Sequence, residues 1–511
     1  MKRLRWNDLL SVNLFWLGLN IRNNAVGAIY MPFLVDQFVR PEIRNTALGE
    51  MRTAGLVIAM LIQPAMGLLS DRSTSRWGRR RPFIAVGVLL DLVCLGLIAV
   101  APDYWTLFAA ILLLQFSSNV SHGALQGLIP DLVPEDRRGA ASAVKAVFEL
   151  LPLALIGITI APLVAAGRFG LSVVVTGLLL LIAALATLVL VKETPLTTKP
   201  NLPLLPAMVR VLGMLAGIGV GAVAGLAAGG AAGGVTGLVT RVLAGPAAGM
   251  TVGVAVGGIV AMVTAVVAGV WAGSLATIGR EVRRRPSFTW WTINRLMFLA
   301  AITSIQGFAP YFLMYAFQVS GQVAAGMTGT LMAVVGVFTL VSAVLSGWLA
   351  DRVGQKRLVS FSGLLAALGT VVLLATIWVP NLGLIYTTGC ILGIAAGLFV
   401  TSNWALGTRL VPASEAGRYL GIANLAGAGA GMIGTGIGGP VADYLNGSLP
   451  GLGYFVIFAG YGLLFLLSGV SLHWVTETSA PASERTAELR PGGGRRRIPW
   501  PVRVRRSRAR R

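Results

Sequence analysis

The sequence is poor in acidic residues, histidine and cysteine. Its 511 residues include 19 Asp and Glu against 41 Lys and Arg, with two His and two Cys. Cys94 and Cys390 stand alone in apolar segments, so the sequence offers neither a disulfide framework nor clustered metal ligands. Nucleotide-binding loops and the spacing of catalytic triads are missing as well. These absences argue against an enzyme, and we expect no cofactor.

Charge of either sign is scarce along most of the chain. Charged residues make up 12% of the sequence and hydrophobic residues 55%, whereas soluble domains average about 25% charged residues. Apolar segments of roughly 20 residues recur, which is the length that a helix needs to cross a hydrocarbon layer about 30 Å thick. The sequence therefore predicts an all-α polytopic membrane bundle.

The apolar segments divide into two sets of six. The predicted N-terminal half covers 1–199, with spans near 8–34, 46–70, 82–101, 104–130, 139–166 and 169–191. The predicted C-terminal half covers 286–475, with spans near 290–317, 324–350, 357–379, 382–410, 418–444 and 452–475. We expect the two halves to have the same orientation and to face each other across a central cavity.

The net charge of +22 lies mostly in the connections that follow even-numbered spans and in the last residues of the chain. Basic connections on one side of a bilayer indicate the cytoplasmic side. We therefore expect a multi-pass protein of the plasma (inner) membrane with both termini in the cytoplasm. Zinc-finger spacing and aromatic–basic platforms are missing, which argues against nucleic acid as a partner.

An internal repeat supports the division into halves. Gly67-Leu-Leu-Ser-Asp71-Arg72 recurs as Gly347-Trp-Leu-Ala-Asp351-Arg352, and Leu132-Val133-Pro134 recurs at almost the same offset as Leu410-Val411-Pro412. Two motifs at nearly one spacing predict duplicated six-helix units.

The segment 200–285 is an insert rich in Gly, Ala and Val. Because both halves start in the cytoplasm, the insert must cross the membrane an even number of times. We predict helices near 205–233 and 246–278, with Arg241 at the turn between them. Small residues allow these helices to pack closely; the alternative is a loosely packed peripheral hairpin.

The tail 476–511 is rich in Arg, Pro and Gly, which predicts disorder. Its arginines could contact anionic lipid headgroups or serve only to fix the topology.

One connection carries a family resemblance. Gln63-Pro64-Ala-Met-Gly67-Leu-Leu-Ser70-Asp71-Arg72-Ser-Thr74-Ser75-Arg76-Trp77-Gly78-Arg79-Arg80-Arg81-Pro82-Phe83-Ile84 resembles the loop between helices two and three of the major facilitator superfamily. Its dense basic form is similar to plant sucrose carriers, their animal sugar-transporting relatives and the glycoside–pentoside–hexuronide cation symporters. The resemblance implies a conformational gate at Gly67, Asp71, Arg72, Arg76 and Arg79, with a weaker match at Asp351 and Arg352. The alternative is that these arginines only fix topology.

Polar side chains inside the spans are candidates for the substrate site, because they are costly in hydrocarbon and usually face a cavity or a partner. Amides and guanidinium groups suit hydroxyl-rich or anionic ligands; the alternative role is interhelical hydrogen bonding. The candidates are Asn20, Arg22, Asn23 and Asn24 in span one, a helical stripe of Gln115, Asn119, His122 and Gln126 in span four, and Gln306, Tyr311, Asn403 and Trp404 in the second half.

The candidates for cation coupling are Lys145 and Glu149, four residues apart, together with His122. Lys145 and Glu149 could form an internal ion pair, or Glu149 could carry the proton. Plant sucrose carriers have an acidic residue in helix one and an arginine in helix four, whereas this chain has Asn and Arg residues in helix one and Gln126 in helix four. The proton-coupling pair of that family is therefore not carried over.

The sequence predicts a secondary transporter that moves a small solute, a sugar or glycoside, with H⁺ or Na⁺ by alternating access. Two alternatives remain open. One is an efflux carrier for an amphipathic or anionic compound. The other is a transporter-derived assembly factor that delivers a lipid or pigment.

Overall fold

The computed structural model describes residues 6–193, 195–196, 198, 205–279, 286–411 and 416–476. Within this part the regular elements are helices. The N-terminal half begins with one long span made of α1 (Trp6–Asn24), a π-helical segment (Ala25–Tyr30) and α2 (Met31–Phe38). It continues with α3 (Arg44–Asp71), α4 (Arg81–Ala99), α5 (Tyr104–Leu125), α6 (Leu128–Leu132), α7 (Arg138–Thr159), α8 (Ala161–Ala165) and α9 (Phe169–Leu190).

The insert contributes α10 (Leu205–Ala244) and α11 (Pro246–Ile278). The C-terminal half contains α12 (Pro286–Phe317), α13 (Gly321–Val353), α14 (Gln355–Ala375), α15 (Leu382–Leu410), α16 (Ala416–Ser448) and α17 (Leu452–Ser471). These elements belong to one compact unit. The predicted disordered tail lies outside the described residues beyond Thr476.

Twelve helices of the described chain are long and apolar enough to cross a membrane, and α10 and α11 are among them. The first span and α16 fall outside this set, although both are helical where the sequence predicts spans. The first span is divided by its π-helical segment and carries five asparagines and an arginine.

The insert forms a tightly packed hairpin, so the loosely packed alternative is wrong. Glycines at every fourth position of α10 meet the small residues of α11: Gly221 packs against Ala265 and Gly269, and Gly229 packs against Gly257. Without Cβ atoms the two backbones approach closely. Helix α10 continues eleven residues past the predicted end. Arg241 therefore lies in the last helical turn, and Gly245, with φ +92°, makes the turn.

The two halves are joined near one face of the bundle. The Asp443 carboxylate on α16 accepts hydrogen bonds from Asn45 Nδ2 (2.6 Å) and from Thr46 N (2.7 Å) and Oγ1 (2.6 Å) on α3. The hydroxyl of Tyr311 on α12 donates to the carbonyl oxygen of Pro32 on α2 (3.1 Å). These contacts close what we call the sealed face. The opposite face, with the connection between α3 and α4, is called the basic face.

Candidate functional site

A polar stripe runs along the inner side of the first span. Asn20, Asn23, Asn24 and Gly27 are half-buried, while most of their neighbours on the same helix are buried. The side-chain amides of Asn20 and Asn24 donate to the backbone of the preceding turn, to Trp16 O and Asn20 O, each at 2.8 Å. Spacings of three and four residues place this stripe on one helix face, as the sequence predicts.

Helix α12 carries a second stripe. Most of this helix is buried, yet Arg295, Leu299, Thr303 and Gln306 are half-buried or exposed at spacings of four, four and three residues. The first span and α12 touch at the sealed face, through Pro32 and Tyr311. Towards the basic face both stripes stay partly exposed. From these stripes we infer a cavity between the halves that is closed at the sealed face and open at the basic face.

Arg22 is not part of the stripe on α1. It lies two residues from Asn20 and Asn24, which turns its side chain towards α4 and α5. Its guanidinium forms an ion pair with Asp91 (2.8 Å) and also donates to Ser118. Both charged side chains are at most 1% exposed, and Ser117 donates to the same Asp91 carboxylate. In this conformation the charge of Arg22 is already matched by a carboxylate.

The predicted stripe on α5 is divided between two environments. Gln115 packs against Gly55 of α3, and the amide of Asn119, itself 5% exposed, donates to Gln115 O at 2.7 Å. His122 is half-buried and Gln126, which follows the helix, is exposed. Gln115 and Asn119 therefore belong to the helix interface, and His122 and Gln126 to its accessible end.

The three candidate coupling residues come together around one aromatic ring that the sequence analysis did not single out. The ring of Trp16 receives His122 edge-on, with ring centroids 5.2 Å apart, and Lys145 Nζ lies 4.1 Å from the Trp16 centroid. Lys145 also pairs with Glu149 at 3.3 Å, and both side chains are about one-third exposed (31% and 37%).

In the second half, Asn403 and Trp404 surround an arginine. Arg295 Nη1 donates to Asn403 Oδ1 (3.3 Å), and its guanidinium lies 5.2 Å from the Trp404 ring centroid. Asn403 also donates to Asn294 Oδ1 (2.7 Å) and is fully buried.

The other two candidates of the second half lie nearer the sealed face. Tyr311 is fully buried in the closure of that face, with Arg44 4.9 Å above its ring. Gln306 borders a small apolar cavity of about 40 Å³ within the C-terminal half.

The connection between α3 and α4 folds into an ion-pair cluster. Arg80 binds the carboxylates of Asp71 and Asp131, and Arg79 binds Asp131 as well. The Arg80 backbone donates to Glu193 at 2.8 Å, and burial raises the pKa of that carboxyl. Gly78 has φ +105°, and a Cβ there would overlap Glu193, so both the backbone and the space require glycine.

The other predicted gate residues occupy different positions. Gly67 contacts Gly123 of α5, where a Cβ would lie 3.4 Å from the Gly123 oxygen. Arg72 is half-buried and Arg76 exposed, and neither forms an ion pair with a described carboxylate. Asp351 is exposed, and Arg352 lies over the Trp348 ring at 3.8 Å.

Sequence patterns missed four charged residues of these clusters: Arg52, Arg295, Arg80 and Asp131. Arg52 and Arg295 lie inside predicted spans, and an ionisable residue within a span is by itself a signal of function. Arg80 and Asp131 lie in connections where several charges are equivalent by position. Only the fold selects among them.

The family model of the major facilitator superfamily matches residues 18–435 and 291–509. The chain belongs to the major facilitator superfamily. It is a membrane carrier and not an enzyme.

Among relatives, sucrose transport protein SUT1 of Oryza sativa subsp. japonica is 30% identical over 149 residues, covering 24% of this chain and 27% of that protein. Solute carrier family 45 member 3 of Homo sapiens is 35% identical over 144 residues, a quarter of each chain (25%). The chain thus matches about a quarter of the length of these relatives.

Solved structures share the fold over nearly the whole chain. The POT family transporter PepTSo has a TM-score of 0.62 at 10% identity, covering 96% of this chain and 100% of that one. A D-xylose-proton symporter has a TM-score of 0.58 at 16% identity, covering 92% and 97%. At such identities the likeness extends to the fold alone.

Proposed function

We propose that this superfamily member moves a sugar or glycoside by alternating access, coupled to H⁺ or Na⁺. The observation that carries the proposal is the half-buried polar stripe of Asn20, Asn23 and Asn24 on α1, which faces the cavity that we infer between the halves. Amides donate and accept hydrogen bonds, as a hydroxyl-rich solute requires. The names of two similar proteins, a sucrose transport protein and a D-xylose-proton symporter, point the same way.

The orientation follows from charge. The basic face carries the arginine-rich connection after α3, and such connections favour the cytoplasm. We therefore place this face and both termini in the cytoplasm of a cell whose inner (plasma) membrane holds the protein. The cavity then opens inward. The arginines of the tail 476–511 would lie beside anionic headgroups on that side.

For coupling we propose the cluster of Glu149, Lys145 and His122. Protonation of Glu149 would remove the attraction that holds Lys145, which would then be free to reorient beside the Trp16 ring. Because the pair lies at the accessible end of α7, a proton can reach it from the open cavity. Arg22 and Asp91 form a second charged pair that the same proton could separate.

For the gate we propose that the Asp71–Arg80–Asp131 cluster, with Arg79, holds the α3–α4 connection in the inward-open state. Closing the basic face would bring this connection against the second half. There Arg72, Arg76, Asp351 and Arg352 would find partners that this conformation does not provide. A cluster that forms in one state and breaks in another biases the equilibrium between them.

The test is uptake of radiolabelled sucrose and methyl β-D-glucoside into proteoliposomes that carry the full chain. An imposed inward proton or Na⁺ gradient should drive accumulation. Glu149→Gln should lose gradient-driven accumulation and keep exchange of labelled for unlabelled solute. The absence of both accumulation and exchange for every sugar would contradict the proposal and favour the efflux or assembly-factor alternatives.

A further inference from the structure

Two arginines, Arg52 and Arg295, have no acidic partner among the residues that the structure describes. Among the described residues, Arg22 pairs with Asp91, Arg44 with Asp36, and Lys145 with Glu149. Neither Arg52 nor Arg295 has a described carboxylate within ion-pair distance. A charge held inside a membrane bundle is costly unless it is paired. The described part of the chain therefore leaves the positive charges of Arg52 and Arg295 uncompensated.

Arg52 lies where the π-helical segment meets α3. Its Nη2 donates to the carbonyl oxygen of Gly27 in that segment, a neutral acceptor that leaves the charge unbalanced. Its Nη1 lies against Gly307 of α12, where an added Cβ would overlap it. The absence of a side chain at Gly307 thus makes room for the guanidinium between the two halves, at the closed end of the cavity.

Arg295 lies nearer the open end. The twelve residues from Gly307 to Arg295 correspond to roughly 18 Å of helix, at 1.5 Å per residue. Arg295 is half-buried, donates to Asn403 and lies over the Trp404 ring. Its Nε is buried and has no hydrogen-bond partner among the described residues, and a buried N–H of this kind calls for an explanation.

We propose that the transported solute carries an oxyanion, a carboxylate or a phosphate, which Arg52 and Arg295 bind in turn along the cavity. This inference rests on the proposed function and narrows it from sugars in general to acidic sugars. Guanidinium groups match the oxygens of carboxylate and phosphate in bidentate geometry. A cleft lined by one sign of charge also concentrates solutes of the opposite sign. The solute supplies the counter-ion that the described residues do not provide.

The experiment measures dissociation constants on the purified full chain by calorimetry. Four probes are used: methyl β-D-glucoside, D-glucuronate, D-glucose 6-phosphate and acetate. Glucuronate or the phosphate should bind at least about ten-fold more tightly than the neutral glucoside, since a hydrogen bond to a charged group contributes about 1.5–3 kcal/mol. Raising the KCl concentration should weaken the anionic probes selectively.

Arg52→Gln and Arg295→Gln should each weaken the anionic probe about ten-fold or more and leave the glucoside unchanged. Arg168→Gln is the matched control, because Arg168 is exposed and lies outside the cavity, in the connection before α9. If either Gln variant fails to purify, the corresponding Lys variant is used instead. Lysine keeps the positive charge but cannot form the bidentate hydrogen bonds of a guanidinium, so part of the affinity for the anionic probe should be lost.

The outcomes separate the two proposals. Equal binding of the neutral and anionic sugars, unaffected by both Arg variants, would overturn the oxyanion inference and leave the sugar carrier intact. If acetate binds as tightly as glucuronate and its binding is lost in both variants, the oxyanion site is supported and a sugar as the transported solute is contradicted. The dissociation constants of D-glucuronate and D-glucose 6-phosphate together tell whether the site prefers a carboxylate or a phosphate.

Discussion

At the residue scale, the feature with the largest expected consequence is the pair of Arg22 and Asp91. Both side chains are essentially inaccessible; Arg22 also donates to Ser118, and Ser117 donates to Asp91. Removing one partner leaves the other as an unpaired charge in a low-dielectric interior. Removing both leaves neutral amides.

We therefore expect Arg22→Gln or Asp91→Asn alone to lower the free energy of unfolding by about 3–5 kcal/mol. The double variant should recover most of that loss. Thermal unfolding of the purified protein in detergent measures it. Lys145→Gln is the control, since its pair is about one-third exposed and should contribute at most about 1 kcal/mol. A double variant as unstable as the single ones would contradict a role based on charge compensation.

At the scale of elements, the α3–α4 connection and the insert hairpin each lead to a prediction. The connection is held by Asp71, Arg79, Arg80 and Asp131, which belong to three different segments of the N-terminal half. The hairpin is held by glycine contacts along its whole length. Substitutions in the α3–α4 connection should change the transport rate, and substitutions in the hairpin should change the stability of the protein.

Asp71→Asn should reduce uptake in proteoliposomes at least about ten-fold, because the Arg80 guanidinium loses one of its two carboxylates and a charge-assisted hydrogen bond with it. The amount of protein in the membrane should not change. Asp136→Asn serves as the control, since Asp136 is exposed on the same face of the bundle. Normal uptake by the Asp71 variant would rule out a gate at this position.

Gly229→Leu should destabilise the hairpin, whereas Gly230→Leu should not. A side chain at Gly229 would meet the backbone of Gly257, while nothing lies within 4 Å of a Cβ at Gly230. Overpacking of this kind costs about 1–3 kcal/mol. Thermal unfolding of the two purified variants compares them at neighbouring positions with identical chemistry. Equal melting temperatures would show that the tight α10–α11 contact does not contribute to stability.

At the scale of the whole molecule, the closed and open faces define one state of an alternating-access cycle. Asp443 is the centre of the closure, since its two carboxylate oxygens receive hydrogen bonds from Asn45 and Thr46. Hydrogen bonds to charged groups are worth about 1.5–3 kcal/mol each. Their loss should shift the population towards the state open at the sealed face.

We expect Asp443→Asn to expose the cavity from the sealed face. The reporter is Thr303→Cys, an exposed position on the cavity side of α12, in a chain whose two cysteines are replaced by Ala. An impermeant maleimide should label it from the basic face in the parent. In the Asp443 variant, labelling from the sealed face should rise about ten-fold or more. Ser448→Ala is the control, since Ser448 is exposed at the end of α16, and it should leave the labelling pattern unchanged. An unchanged pattern in the Asp443→Asn variant would contradict a role of that carboxylate in the seal.

Much of the architecture follows from the sequence by itself, because hydropathy and helical period are local properties. The span positions, the two-helix insert and the shared face of Asn20 and Asn24 are examples. A span needs about 20 apolar residues, and spacings of three and four fix a helix face. Gly78 and the arginines beside it likewise identified the family from one connection.

Only the tertiary structure decided which charges meet. Asp91 finds its partner in Arg22, 69 residues earlier in the chain, and Arg80 rather than Arg72 or Arg76 binds Asp71. It also placed Tyr311 in the sealed face and left Arg52 and Arg295 without carboxylates. The physical reason is that helical period assigns a side chain to a face of its own helix. The neighbour across that face is set by how the helices pack, which depends on contacts among all of them at once.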